Sequence, residues 1–541
     1  MASTVSRRSF LRIAGALGAA AGLSATLGAC APRNESSSSA DSSSGGSAQG
    51  AGSAKEDGTI EAAISYELGT NGYDPMTTTA ALTLAANWHT MEGLTEMDPA
   101  TGKSYAALAT ELPSADGTTV DVKLRDGAVF HNGEPVTAED VVFSFERVLD
   151  EANKSLYAAF IPFIKSVKAK DDTTVTFELE YPTGLFADRL STVKIVPKAA
   201  VEADPKAFDA LPVGTGPYKM TDSGAASKTV KFERFEDYTG PKPARAAAMN
   251  WQIIPDPSTR TNAFQSKTAQ AIDSVPYLSI DQLKASGTVE SIQGFGLLFA
   301  MFNNADSSPF SKLEARQAFL YGIDMNKVIE TGLLGQAAPA TSFLQKDHPE
   351  YQEASTVYAY DPEKARELFK KAGVTSFRLL CTDHDWVKKC TPLIQESLSA
   401  LGVKVTMEEK KSAEAYQTID RADDSYDVLV APGDPSVFGN DPDLLLRWWY
   451  GNDTWVDSRM HWKGADAQKE ISALLDEAIR AESDADRKKA WGKTFDVISD
   501  NVPLYPLLHR KSPSAWDEST LVDFKPIALT GLSFIGVAST K

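Results

Sequence analysis

Little in this 541-residue chain is arranged for bond-making chemistry. It has no H-E-x-x-H, no G-x-S-x-G, no P-loop and no G-x-G-x-x-G, the spacings that bring a metal-bound base, a nucleophile or a phosphate cradle to a substrate. No enzyme and no cofactor are therefore expected. The six histidines form no pair on one helical or strand face, which counts against nickel or another metal. Cys381 and Cys390 match no common zinc spacing, but outside the cytoplasm they are candidates for a disulfide. The densest polar stretch is Gly433-Asp434-Pro435-Ser436-Val437-Phe438-Gly439-Asn440-Asp441-Pro442-Asp443. Its two Asp-Pro pairs are turn formers, so Asp434 and Asp441 read on their own as loop residues. Trp448, Trp449, Tyr450 and Trp455 follow; aromatics can line a pocket for ligand side chains, although core packing is their commoner fate.

These residues work where the N-terminus sends them. Arg7 and Arg8 precede a stretch, Ile13 to Ala29, built only of Ala, Gly, Leu, Ile, Ser and Thr. A paired-arginine block before small apolar residues is an export signal, and its Gly and Ser content suits cleavage better than spanning. Leu27-Gly28-Ala29-Cys30 resembles the lipobox of bacterial lipoproteins, which makes Cys30 the lipidated N-terminus after residues 1–29 are removed. Residues 30–57, rich in Ser, Gly and Ala without large hydrophobes, read as a flexible linker. The remainder is longer than one hydrophobic core usually organises, so two or three domains are expected. A formal charge of −19, more negative still once the arginine-bearing leader is gone, argues against nucleic acid and against adhesion to anionic lipid.

The body must position its site with alternating strands and helices. Thr59 to Ser65 reads as a strand and Ala80 to Met91 as a helix; Val120, Val122 and Leu124 alternate with polar residues in another strand. Thr137 caps a helix whose apolar face holds Val141, Val142, Phe145, Val148 and Leu149. Further on, Ser311 and Glu314 suggest a capping box, while Asp361, Pro362 and Gly373 frame a helix. After it, strands at Phe377–Cys381, Val403–Met407 and Val428–Val430 alternate with helices at 386–401 and 413–421. That order makes an α/β unit whose ligand face lies at the strand C-terminal ends.

The run from Leu124 to Ser144, Leu-Arg-Asp-Gly-Ala-Val-Phe-His-Asn-Gly-Glu-Pro-Val-Thr-Ala-Glu-Asp-Val-Val-Phe-Ser, closely resembles the signature of the extracellular solute-binding proteins of family 5. These are the peptide, nickel and related receptors of ABC importers. Val196-Pro197-Lys198, Val213-Gly214-Thr215-Gly216-Pro217-Tyr218, Phe302-Asn303-Asn304, Asp361-Pro362-Glu363-Lys364-Ala365 and Leu504-Tyr505-Pro506-Leu507 are similar to further blocks of that family, in the same order. The resemblance implies a type II periplasmic-binding-protein-like α/β fold, with two α/β lobes joined by a hinge and an extra subdomain inserted in the first lobe. Residues 58–95, 195–300 and 500–541 would form lobe I, 96–194 the insert and 301–499 lobe II. It also implies a monomer that captures oligopeptides and delivers them to ABC permease subunits at the extracytoplasmic face of the membrane. Receptors for an oligosaccharide or metal chelate, and an exported hydrolase, are the competing readings.

In the family's peptide-binding members an Asp at the end of the corresponding strand pairs with the ligand's α-ammonium. Asp434 matches that position, and the length of the loop makes Asp441 the alternative. Dipeptide receptors carry an Arg in the loop that here reads Thr382-Asp383-His384-Asp385-Trp386-Val387-Lys388-Lys389. Its absence favours the oligopeptide type, with His384 and Trp386 as ligand contacts beside Trp448 and Trp455. His131, within the signature, reads as a turn residue.

Overall fold

A computed structural model describes residues 53–69, 71–421, 425–481 and 483–541. Arg7, Arg8, Cys30, the leader and most of the linker lie outside the described residues.

An eleven-strand mixed sheet organises the chain. At its centre two long strands, Thr288–Phe302 and Leu504–Trp516, run antiparallel to each other. On one side Ala271–Ile272 pairs with the end of the second long strand, followed by Thr59–Ile64 and Ala248–Ile253 in parallel. The strands Thr229–Arg234 and Tyr218–Ser223 complete that wing as an antiparallel meander. On the other side Val428–Gly433 pairs with Leu297 to Phe302 of the first long strand, and Ser376–Thr382 and Lys404–Lys410 follow in parallel. The two long strands thus belong to both wings.

Between the wings the ladder breaks: Gln293 faces Lys511, but the next pair is Leu297 with His509, so Gly294, Phe295 and Gly296 oppose Arg510 alone. A bulge of this kind bends the strand and re-aims its side chains. Gly294 is required there, because a Cβ would lie 2.7 Å from the carbonyl oxygen of Ala528.

Separate from the large sheet, Thr119–Lys123, Thr174–Leu179 and Ile164–Asp171 form a three-strand antiparallel sheet. The helix Ala138–Leu149 packs on it, with the Phe145 ring edge-on to Phe177 at 5.1 Å. The expected alternation holds: Val120 and Val122 are buried while Thr119, Asp121 and Lys123 are exposed. Thr137 and Asp140 form the capping box that starts this helix. Immediately before it, His131 acts as a clamp. Its ring nitrogens bond Gly216 O at 2.9 Å and Gly214 N at 3.3 Å, and burial pushes its pKa down to about 4.

Helix framing in the other wing follows local chemistry. Asp361 accepts from Lys364 N, Pro362 opens the helix Pro362–Ala372, and Gly373 closes it at φ 76°. The capping box expected from Ser311 and Glu314 does not form. The helix begins at Leu313 with Lys312 as N-cap, and the Ser311 hydroxyl donates instead to Ser308 O in the preceding 3₁₀ turn.

Candidate functional site

The strand Val428–Gly433 is fully buried over its first four residues, and it delivers Asp434 at its C-terminal end. Asp434 is half-buried. Its Oδ1 accepts from the Ser436 hydroxyl and its Oδ2 from Thr530 Oγ1 at 3.0 Å. Burial raises its pKa, against the lowering effect of these hydroxyls and of Arg510. Thr530 belongs to the C-terminal tail, which His89 anchors by accepting from Phe534 N at 2.9 Å.

Arg510 projects from the second long strand opposite the bulge and is 5 % exposed. Its Nη2 lies 3.3 Å from the Tyr66 hydroxyl, its guanidinium covers the Trp386 ring at 4.9 Å, and it also bonds the Tyr277 hydroxyl. Tyr66 follows the strand Thr59–Ile64, Tyr277 opens a 3₁₀ turn after Ala271–Ile272, and Trp386 lies in the first turn of the helix Asp385–Ser399. Gly296 of the bulge sits between the two charges. A Cβ placed there would be 3.6 Å from Asp434 Oδ2 and 3.8 Å from Arg510 Nε. One point therefore gathers residues from both wings and from the strands joining them, at the strand ends where an open α/β sheet holds ligands. Past Asp434, Val437 and Phe438 wall a cavity of about 40 Å³ together with Asn87, Trp88 and Tyr157. A depression of about 670 Å³ lies at the opposite ends of the strands, against Ser376, Lys404 and Asp427, and brings none of these charges together.

Residues 103–468 match the bacterial extracellular solute-binding proteins, family 5 Middle. The chain belongs to this family. As a family-5 solute-binding protein it is the substrate-binding component of an ABC importer, works outside the cytoplasm and is not an enzyme. It is 26% identical over 429 residues to the glutathione-binding protein GsiB of Escherichia coli K12, spanning 78% of this chain and 83% of that protein. The periplasmic binding protein DppA of Helicobacter pylori, solved with the peptide STSA, superposes with a TM-score of 0.79 at 23% identity, covering 90% of this chain and 98% of that one. The oligopeptide-binding protein AppA of Bacillus subtilis, solved with a nonapeptide, gives 0.78 at 20% identity, covering 90% and 100%. The fold is that of the type II binding proteins, two α/β lobes about a hinge.

Within this solute-binding protein the residues singled out in the sequence separate into two groups. His384 and Trp386 lie with Asp434 around Arg510 and Tyr66: Arg510 covers the Trp386 ring and the His384 ring lies 6.4 Å from that of Tyr66. Burial lowers the His384 pKa to about 4, so its imidazole is neutral at pH 7. Asp441 is engaged elsewhere. It caps the helix Pro442–Tyr450 through Leu444 N, and both its oxygens take the fully buried Arg189, at 2.6 and 3.2 Å. Its charge is already compensated, and this corrects its reading as the alternative anchor. Trp455 is a core residue, 3 % exposed and packed on Phe299 and Trp449 with Arg459 over its ring. Trp448 stacks on Phe160 and Phe438. The expectation of a disulfide is also corrected: Cys381 and Cys390 are free, buried thiols on different elements, donating to Leu379 O and Trp386 O respectively. Burial pushes both thiols up to about 12, which makes them unreactive.

Sequence reasoning missed Arg510, Tyr66, Tyr277 and Thr530. One signal for Arg510 was present, a cation two residues past the apolar run Leu504-Tyr505-Pro506-Leu507-Leu508. Nothing in sequence marks the other three.

Proposed function

We propose that this protein is a lipid-anchored receptor that captures oligopeptides between its lobes and hands them to the importer's permease. In this reading residues 58–95, 195–300 and 500–541 form lobe I, 96–194 the inserted subdomain and 301–499 lobe II. Asp434 is the anchor for the ligand's ammonium, and Trp386 and His384 line the cleft beside it. The observation that carries the reading is the state of Asp434. It is a half-buried carboxylate at a strand end, satisfied by two hydroxyls and, among the described residues, without an ion pair. A buried charge is expensive unless paired, and an ammonium is the cation every unblocked peptide brings. Glutathione, the ligand in the name of the Escherichia coli relative, and the peptides bound in the solved relatives support a peptide as solute. Main-chain hydrogen bonds would then give affinity with tolerance of sequence. Lipid on Cys30 would hold the monomeric receptor within a linker's reach of its permease, an arrangement suited to a bacterium with one membrane.

Native mass spectrometry of freshly purified protein tests the solute. A ladder of co-purifying peptide masses is expected, and absence of any peptide together with no thermal shift across a peptide panel would sink the reading. Cys30→Ser should move the protein from the membrane fraction to the soluble one. Retention in the membrane would refute the anchor.

A further inference from the structure

Two opposite charges face one another across Gly296 without pairing. Other buried guanidinium groups of the protein either close on carboxylates or are filled by backbone carbonyls: Arg189 meets Asp441 at 2.6 Å and Asp443 at 2.9 Å, and Arg447 meets Asp443 at 2.9 Å, while Arg260 and Arg316 donate to main-chain oxygens. Arg510 makes no such contact among the described residues. Its partners are the hydroxyls of Tyr66 and Tyr277 and the face of Trp386. Asp434 is likewise turned onto hydroxyls, those of Ser436 and Thr530. Each charge is thus held by weak neutral partners while the other stands close by, both within 4 Å of a single point. Leaving opposite charges uncombined is costly where burial has removed much of their hydration without supplying a counter-ion, as it has for Arg510 and in part for Asp434. The cost is recovered if a ligand supplies both counter-ions together.

We infer that Asp434 and Arg510 form one recognition unit for an unblocked α-amino-acid head, an ammonium and a carboxylate carried on the same carbon. The inference rests on Asp434 as the ammonium anchor and narrows the ligand class. An ordinary α-peptide offers the ammonium, but the neighbouring carbon is an amide carbonyl, which gives Arg510 a neutral acceptor. A γ-linked glutamyl peptide keeps a free carboxylate beside its ammonium and satisfies both charges. Charge-assisted bonds are about twice as strong as neutral ones, and the aromatic walls of Tyr66, Tyr277 and Trp386 reduce screening by water. Gly296 puts no side chain between the charges.

Calorimetry with the isomers γ-Glu-Ala-Gly and α-Glu-Ala-Gly separates the cases, because composition and net charge are identical. The wild type is expected to bind the γ-isomer at least tenfold more tightly. Arg510→Met should lose that preference by weakening the γ-isomer alone, and Arg510→Lys should restore part of it. Equal or stronger binding of the α-isomer by the wild type overturns the inference while leaving Asp434 as an ammonium anchor intact. Binding of neither isomer also overturns it, and the peptide reading is then decided by the co-purified masses. Because the wild-type comparison is decisive by itself, an Arg510 variant that fails to fold does not protect the inference.

Discussion

Replacing Asp434 by Asn separates the role of its charge from the role of its shape. The amide keeps the side-chain volume, and the hydroxyls of Ser436 and Thr530, which now donate to the two oxygens, can turn to accept from an amide NH₂. The fold should survive. Removing one partner of a buried charge pair costs about 2–5 kcal/mol. Asp434 keeps partial solvent access, so the lower part of that range applies, about 2–3 kcal/mol or roughly 30- to 150-fold in Kd. Stability should move the other way. The folded-state pKa of Asp434 is raised by burial, so its proton favours the folded state at low pH, and that contribution is lost as pH rises through the folded value. Above its raised folded pKa the ionised carboxylate is a burden on the ligand-free protein, so there Asp434→Asn should melt slightly higher than the wild type, with the gap closing as pH falls. Calorimetry at several pH values, with a peptide and its N-acetylated form, reads both effects. The wild type should prefer the free amine and lose that preference on acidification, starting above the ordinary Asp range; the variant should show no preference at any pH. A variant that still prefers the free amine as strongly as the wild type would refute the assignment of Asp434.

Arg189 holds together Asp441, Asp443 and the carbonyl of Phe160. Arg189→Met should therefore leave Asp441 without a counter-charge, Asp443 keeping Arg447, and cost about 3–5 kcal/mol, seen as a lower unfolding midpoint in urea; an unchanged midpoint would show that this cluster carries no stability. Cys381 and Cys390 should resist thiol reagents in the native state and both react after denaturation, and peptide mapping that finds them linked would refute the free-thiol arrangement. Gly296→Val should fill the space between Asp434 and Arg510, lowering affinity for any ligand at this site at least tenfold while the midpoint changes little. If affinity is unchanged, the ligand does not pass Gly296.

Periodicity made much of the scaffold legible. The strands that became Thr59–Ile64, Ser376–Thr382 and Lys404–Lys410 and the helix Pro362–Ala372 were readable because their burial pattern and caps are local properties. The place of Asp434 directly after an apolar strand was legible as well, although its Asp-Pro chemistry reads as a turn and the family resemblance alone singled it out. The Ser311–Glu314 box failed because a 3₁₀ turn beginning at Pro309 took the hydroxyl, a competition between two local hydrogen bonds that spacing does not resolve. Asp441 looked equivalent to Asp434, and only the approach of Arg189, 252 residues away in the chain, distinguished them.

What the sequence by itself determined is the alternation of elements and a family signature that names the class of protein. Each is encoded within a few turns or strands of contiguous chain. Tertiary structure alone decided which charges meet. Tyr66, Tyr277, Gly296, Trp386, Asp434, Arg510 and Thr530 come from seven separate segments, and their pairing depends on a three-residue bulge between two long strands. Hydrogen bonds need contact within about 3.5 Å and Coulomb energy depends on separation in space, and separation along the chain carries no information about that distance once the fold has brought the segments together.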